Sequence, residues 1–212
     1  MISSLPRAVP APPGKPVRPE APRGQERARR LALNPGTWTV EEAAGMRADF
    51  DQAAANWSED RGGYRPPVLA DALARGGPFR GSRAVEIASG TGLLTPLIRA
   101  VWPEVVAVDL SLRMLSRSAQ PGRIQADASR LPLADGCADA VVLGDGPLFA
   151  AEVARVLADG GPLIVSNALG DGAPFRVPAE ELVEAMATAT SRPWDALQSE
   201  AHWGIWTILR PA

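Results

Sequence analysis

Ala84-Val85-Glu86-Ile87-Ala88-Ser89-Gly90-Thr91-Gly92 is an apolar run interrupted by one carboxylate and closed by two glycines. The run reads as a buried strand that turns sharply into a helix, because Leu93, Leu94, Leu97 and Ile98 follow at helical spacing. Glycines at the bend remove the Cβ that would hold a ligand off the backbone, and the helix beyond it points free N–H groups at the same place. The corner is therefore where an anionic or carboxylate-bearing ligand would lie. Two common ligand loops fail in detail. The dinucleotide pattern G-x-G-x-x-G/A, counted from Gly90, ends on Thr95, where close helix packing needs a tiny residue. The phosphate loop needs a Gly-Lys-Ser/Thr that does not follow. Glu86 would repel a diphosphate but can hold an ammonium group directly or through water. A tight turn in some other α/β protein is the plain alternative for this stretch alone.

Downstream the same grammar repeats. Glu104 to Asp109 is a second buried strand ending in an acid, which a doubly wound sheet brings to the same edge one strand over. A carboxylate there suits a sugar diol, since it accepts two hydroxyl hydrogens. Capping the next helix is the alternative for Asp109, but Ser111 is available for that, and Met114 and Leu115 follow on the inward or ligand-facing side. A third strand over about 122–126 ends in Asp127-Ala128, where a carboxylate beside a free N–H fits an adenine amino group and ring nitrogen. The fourth strand, Ala138 to Leu143, closes on Gly144-Asp145-Gly146-Pro147, and a helix from Pro147 to Ala158 and a fifth strand from Pro162 to Ser166 follow. Beyond a helix over Glu180 to Ala189, Ala196 to Ala201 and Gly204 to Leu209 read as two strands joined tightly at His202 and Trp203. The alternation predicts an α/β fold with a mostly parallel sheet, helices on both faces and one antiparallel edge strand.

Upstream the composition changes. The 212 residues are 46% hydrophobic and 22% charged, enough for one domain with a sizeable core plus a tail. Over residues 1–35, Pro6, Pro10, Pro12, Pro13, Pro16, Pro19 and Pro22 alternate with Arg7, Lys15, Arg18, Arg23, Arg27, Arg29 and Arg30, which predicts a disordered Pro/Arg-rich tail ahead of a single domain over 36–212. Thr39-Val40-Glu41-Glu42 has the form of a capping box and predicts a helix from Val40 to about Asn56; a second is predicted from Pro67 to Arg75. Between them, Trp57 to Pro66 carries glycines, two arginines and two aromatics, a lid over the corner or a surface connector. A net charge of −2 supplies no global basic field for nucleic acid or anionic membrane. One cysteine, Cys137, and one histidine, His202, argue against a disulfide framework and against a metal centre. The chain shows no run of membrane-span length and no hydrophobic signal core, so a cytoplasmic protein is expected.

Taken in order, Val85 to Gly92, Val108-Asp109-Leu110-Ser111 with Met114-Leu115, Ala126-Asp127-Ala128 with Leu131 to Asp135, and Glu152 to Leu157 with Gly160-Gly161 resemble the successive motifs of class I S-adenosylmethionine-dependent methyltransferases. The resemblance covers about residues 50–212. It implies a Rossmann-like, doubly wound seven-stranded sheet with S-adenosylmethionine as cofactor. Residue by residue, it implies that Glu86 and the backbone of Ala88, Ser89, Gly90, Thr91 and Gly92 hold the methionine part. It assigns Asp109 to the ribose hydroxyls, Leu110 and Met114 to the adenine face, Asp127 and Ala128 to the adenine edge, and the Gly144 carbonyl to the amine. Ala88 stands where the family commonly has its first glycine.

Only Gly144-Asp145-Gly146 separates the fourth strand from its helix, where the family often carries acceptor-site residues. The acceptor pocket is then expected from Trp57, Tyr64, Asp145, His202 and the loop from Asn167 to Val177. No basic stripe with interleaved aromatics marks the folded part, so a small organic acceptor is expected rather than nucleic acid or membrane. The sulfonium arrives activated, so the protein's task is to hold the nucleophile in line and exclude water; Asp145 and His202 are the candidate bases, and a structural role for His202 beside Trp203 stands against its being one. The alternative is a module that binds S-adenosylmethionine or its demethylated product without methyl transfer.

Overall fold

The computed structural model describes residues 1–14 and 22–212. Among these residues eight strands form one sheet: β1 (Ile2–Ser4), β2 (Arg83–Ile87), β3 (Glu104–Asp109), β4 (Arg123–Gln125), β5 (Ala140–Gly144), β6 (Leu163–Asn167), β7 (Trp194–Ala201) and β8 (Gly204–Pro211). Their order is β1-β7-β8-β6-β5-β2-β3-β4. Every pairing is parallel except those of β8, which runs against both β6 and β7. The strand count is thus eight rather than seven, because the N-terminal residues add β1, and the reversed strand lies inside the sheet with β7 and β1 beyond it. The sequence predicts β3 to the residue, since its apolar run is bounded by a carboxylate at each end.

The helices are α1 (Pro22–Leu33), α2 (Val40–Ala53), α3 (Trp57–Arg61), α4 (Arg65–Arg75), α5 (Thr95–Arg99), α6 (Leu112–Ser116), α7 (Ala150–Val156) and α8 (Ala179–Thr190). Thr39 caps α2 by accepting the Glu42 N–H, and Ser111 caps α6 by accepting the Met114 N–H. Two cores sandwich the sheet. On one face Val85, Ile87, Val141 and Leu163 pack against α2, α7 and α8; on the other Ala84, Val142, Ile164 and Trp206 pack against α4 and α5. Alternation along β2 and β5 divides their side chains between the faces, as a sheet covered on both sides requires.

The expected disordered tail needs correction over its described parts. Ile2 to Ser4 pairs in register with Ala196 to Gln198, and Leu5 and Val9 pack on the second core. Trp203 Nε1 donates to the Pro12 carbonyl at 2.9 Å. Further on, α1 buries Ala28, Leu31 and Ala32, a helical stripe, and Arg29 joins it to α8 through Glu181. Few apolar residues suffice because they fall at the right spacing and the open edge of β7 supplies backbone partners. Lys15, Pro16, Arg18 and Pro19 of the same expectation lie outside the described residues.

Candidate functional site

All the parallel strands end at one edge, and Asp109, which ends β3, lies there with Asp127 and Asp145, which follow β4 and β5. Gly90 takes φ +58°, a left-handed conformation that favours glycine, and turns its N–H to Asp109 Oδ2 at 2.7 Å. Asp109 Oδ1 accepts the Ser111 N–H at 2.8 Å. The carboxylate is nearly buried, and burial raises its pKa while the two amides pull the other way. Ala88 also sits in the left-handed region, at φ +57°, which a residue with a Cβ adopts at a cost of about 1–2 kcal/mol. Its methyl group explains Gly146 on the facing loop: a Cβ there would stand 2.6 Å from that of Ala88.

These loops enclose a cavity of about 620 Å³ including its open mouth. Ala88, Gly90, Asp109, Leu110, Met114, Asp127, Ala128 and Gly144 line it, as do Trp57 and Asp145. Asp127 Oδ1 accepts the Ser129 N–H at 2.8 Å and Oδ2 accepts Trp38 Nε1 at 2.9 Å. The Gly144 carbonyl accepts Arg65 Nη2 at 2.6 Å, and Arg65 Nε lies 3.4 Å from Asp145 Oδ2. Arg65 is therefore a buried cation clamped at the end of β5 by two partners.

Other residues expected at the ligand are not among those that line the cavity. Glu86 does not line the cavity and accepts the Thr95 hydroxyl. Its carboxyl is pushed up to about 7, chiefly by complete burial, with the Thr95 hydrogen bond and Arg65 opposing. Ser89 spends its N–H on the Val108 carbonyl at 3.0 Å, and Thr91 shares a 2.7 Å hydrogen bond with Ser58 of α3. Those contacts shape the corner and fasten α3 over it.

A second chamber of about 810 Å³ including its open mouth adjoins the first, and Met46, Phe50, Trp57, Arg65, Asp145 and Phe175 line both. Tyr64 lines only the second. Phe50 packs edge-on to Trp57 with centroids 5.4 Å apart and stacks on Phe175 at 6.4 Å. The Asn167 to Val177 loop contributes Leu169, Ala173, Pro174 and Phe175. His202 lines neither chamber: it occupies the β7–β8 turn at φ +54°, where its N–H donates to the Val9 carbonyl at 3.0 Å. Its place among the acceptor residues is corrected accordingly, since the turn that holds it is tied to the N-terminal strap.

Residues 85–165 match the Methyltransferase domain family. That stretch of the chain is similar to a methyltransferase domain. A demethylmenaquinone methyltransferase of Mycobacterium sp. (strain KMS) is 32% identical over 133 residues, which are 58% of this chain and 56% of that protein. The chain thus spans about half the length of the curated relatives it matches. Among solved structures, the DhpI–SAH complex superposes with a TM-score of 0.60 at 21% identity, covering 80% of this chain and 97% of that one. A SAM-dependent methyltransferase from Thermotoga maritima gives 0.58 at 18% identity, covering 77% and 98%. Both share the fold.

Several wall residues of the two chambers escape sequence reading. Trp38 and Phe149 come from separate segments that no local pattern connects, whereas Phe175 falls in the Asn167 to Val177 loop expected at the acceptor. Met46 and Phe50 carried a signal, four residues apart on the inward side of α2. Arg65 reads as a lid arginine, whereas it is buried at the first position of α4. Among the described residues no helix is long and apolar enough to cross a membrane.

Proposed function

We propose that the chain is an S-adenosylmethionine-dependent methyltransferase acting on a small organic acceptor held in the aromatic chamber. The observation that carries this reading is the convergence of Asp109, Asp127 and the Gly144 carbonyl on the one cavity that the glycine corner opens into. The donor and acceptor chemistry fits the cofactor. Each Asp109 oxygen accepts one backbone N–H, leaving a lone pair apiece for two adjacent hydroxyls. Asp127 keeps the same spare capacity for an amino group, and Leu110, Met114 and Phe149 offer apolar surface for a flat base. The name of the Mycobacterium relative supports a small-molecule acceptor.

When bound, S-adenosylmethionine supplies a methyl group already activated on its sulfonium. The chain's own work is placement: Phe50, Trp57 and Phe175 wall the junction of the two chambers and exclude water. Asp145 lines both chambers, held by Arg65 and by the Ala168 N–H at 3.2 Å. It is the group positioned to accept a proton from an acceptor hydroxyl.

The test is calorimetric titration with S-adenosylmethionine, followed by transfer of labelled methyl into a small-molecule extract. Binding and transfer are expected for wild type, loss of both for Gly90→Val, whose side chain would enter the space between the corner and Trp57, and unchanged transfer for His202→Asn. Tight binding with no transfer into any extract would favour the binding module; no binding would end the reading.

A further inference from the structure

We infer that the acceptor is a neutral planar phenol, methylated on oxygen, whose hydroxyl bridges Asp145 and Arg65 where the two chambers meet. This rests on the proposed methyltransferase reading and specifies its substrate class. Arg65 and Asp145 line both chambers, and so does Trp57, whose ring centroid lies 5.6 Å from the Arg65 guanidinium carbon. Both charged groups have bonding capacity left. Arg65 spends Nη2 on the Gly144 carbonyl, but its Nε is buried and makes no hydrogen bond among the described residues. Asp145 Oδ2 stands 3.4 Å from that Nε, and the two Asp145 oxygens share the single Ala168 N–H at 3.2 and 3.4 Å. The other arginines of the second chamber have acids of their own: Arg61 pairs with Asp60, and Arg27 lies in the field of Glu42.

A buried donor without an acceptor, beside a carboxylate with spare lone pairs, selects a group that both donates and accepts. A hydroxyl does so: its O–H donates to Asp145, one lone pair accepts the Arg65 Nε–H, and the other is left for the methyl carbon. An ammonium only donates, has no lone pair for attack, and would sit beside both the Arg65 charge and the sulfonium. A carboxylate only accepts, and Asp145 would repel it. The walls decide the rest. Phe50 and Phe175 stack at 6.4 Å, and with Trp57 and Tyr64 they offer apolar surface to a flat ring. Proton transfer to a carboxylate also favours a phenol, which titrates at about 10, over an aliphatic alcohol, whose proton is held far more tightly. In the reaction a lone pair of the phenol oxygen forms the bond to the methyl carbon, and the carbon–sulfur bond breaks with its electrons onto sulfur. The sulfonium becomes a neutral thioether, and the phenol proton passes to Asp145 and on to water. Arg65 stabilises the negative charge that develops on the oxygen.

The experiment titrates the full chain, with and without S-adenosylhomocysteine, by calorimetry in mildly acidic buffer. The ligands are umbelliferone, a planar phenol; its methyl ether; coumarin, which lacks the hydroxyl; and the analogue with an aminomethyl group in its place. Umbelliferone is expected to bind roughly tenfold or more tightly than each of the others. Asp145→Asn, a residue that tolerates the φ of +49° at this position, should shrink the advantage over coumarin, because an amide oxygen is a weaker acceptor than a carboxylate. Arg65→Met should relax the rejection of the ammonium while Arg65→Lys keeps it, a difference that a merely structural role would not produce. Should Arg65→Met fail to fold, the wild-type ratios and Asp145→Asn still decide. With labelled S-adenosylmethionine, label is expected in the umbelliferone methyl ether, about a hundredfold or more slowly for Asp145→Asn. Equal binding of umbelliferone and coumarin, an ammonium bound as tightly, an advantage untouched by Asp145→Asn, or no label on the phenol oxygen would each overturn the inference. Hydroxyl preference without any S-adenosylhomocysteine binding would support the bridge between Asp145 and Arg65 and overturn the methyltransferase reading alone.

Discussion

Asp109 Oδ2 accepts the Gly90 N–H at 2.7 Å, so the acid that ends β3 holds the glycine corner that follows β2. Its other oxygen holds Ser111. Removing the carboxylate strands two buried donors at about 1–3 kcal/mol each. Asp109→Ala is therefore expected to lower folding stability by a few kcal/mol and also to weaken cofactor binding about tenfold or more. Urea unfolding and calorimetry on the same preparation separate the two effects. Unchanged stability would show that the corner stands without this bond.

Glu86 makes stability depend on pH. Its folded carboxyl, near about 7, lies above its ordinary value of 4.5. Between those values the unfolded chain releases a proton that the folded chain keeps, so this contribution is full below about pH 4.5 and is lost as pH rises through about 7. The loss is of order 3 kcal/mol. Glu86→Gln should remove this slope and be more stable than wild type in mildly alkaline buffer, with Thr95 still donating to the amide oxygen. Parallel denaturation curves for the two proteins across this range would rule out a raised Glu86.

Gly146 and Ala88 share one space. Gly146→Ala would place its Cβ 2.6 Å from that of Ala88 and should destabilise by about 1–3 kcal/mol. Ala88→Gly removes the obstructing methyl and relieves the left-handed conformation at residue 88. The double variant is expected to recover most of the loss, giving a favourable coupling in a double-mutant cycle. Additive effects would mean that the two loops do not touch.

Leu31 is fully buried on α1. Leu31→Ala should cost about 2–5 kcal/mol, the range for a core leucine. Thermal melting reads it directly. A change within error would return this helix to the status of a solvated tail.

The central strands and the ligand edge were legible because each signal was local. The run at Val85 to Gly92 announces strand, bend and helix within a few residues, and Asp109 and Asp127 each end an apolar run. Tail order was not legible. Ala28, Leu31 and Ala32 are three apolar residues among arginines, and their burial depends on α8, more than a hundred residues later. His202 misled for the opposite reason: a lone histidine near a strand end invites a chemical role, while the turn that carries it is drawn to Val9.

Periodicity and strand-end acids determine the parallel α/β core and the edge where a ligand lies, since hydrophobic spacing dictates which face of each element is buried and parallel strands all end on one side. Which side chains share a cavity belongs to long-range packing. Trp38 reaching Asp127, Arg65 turning inward to Gly144, and Glu86 bonding to Thr95 follow from how helices and loops distant in sequence settle on the sheet. No local pattern carries that information, because a side chain's partner across the sheet edge is chosen by the space and the unsatisfied polar groups that the assembled fold leaves there.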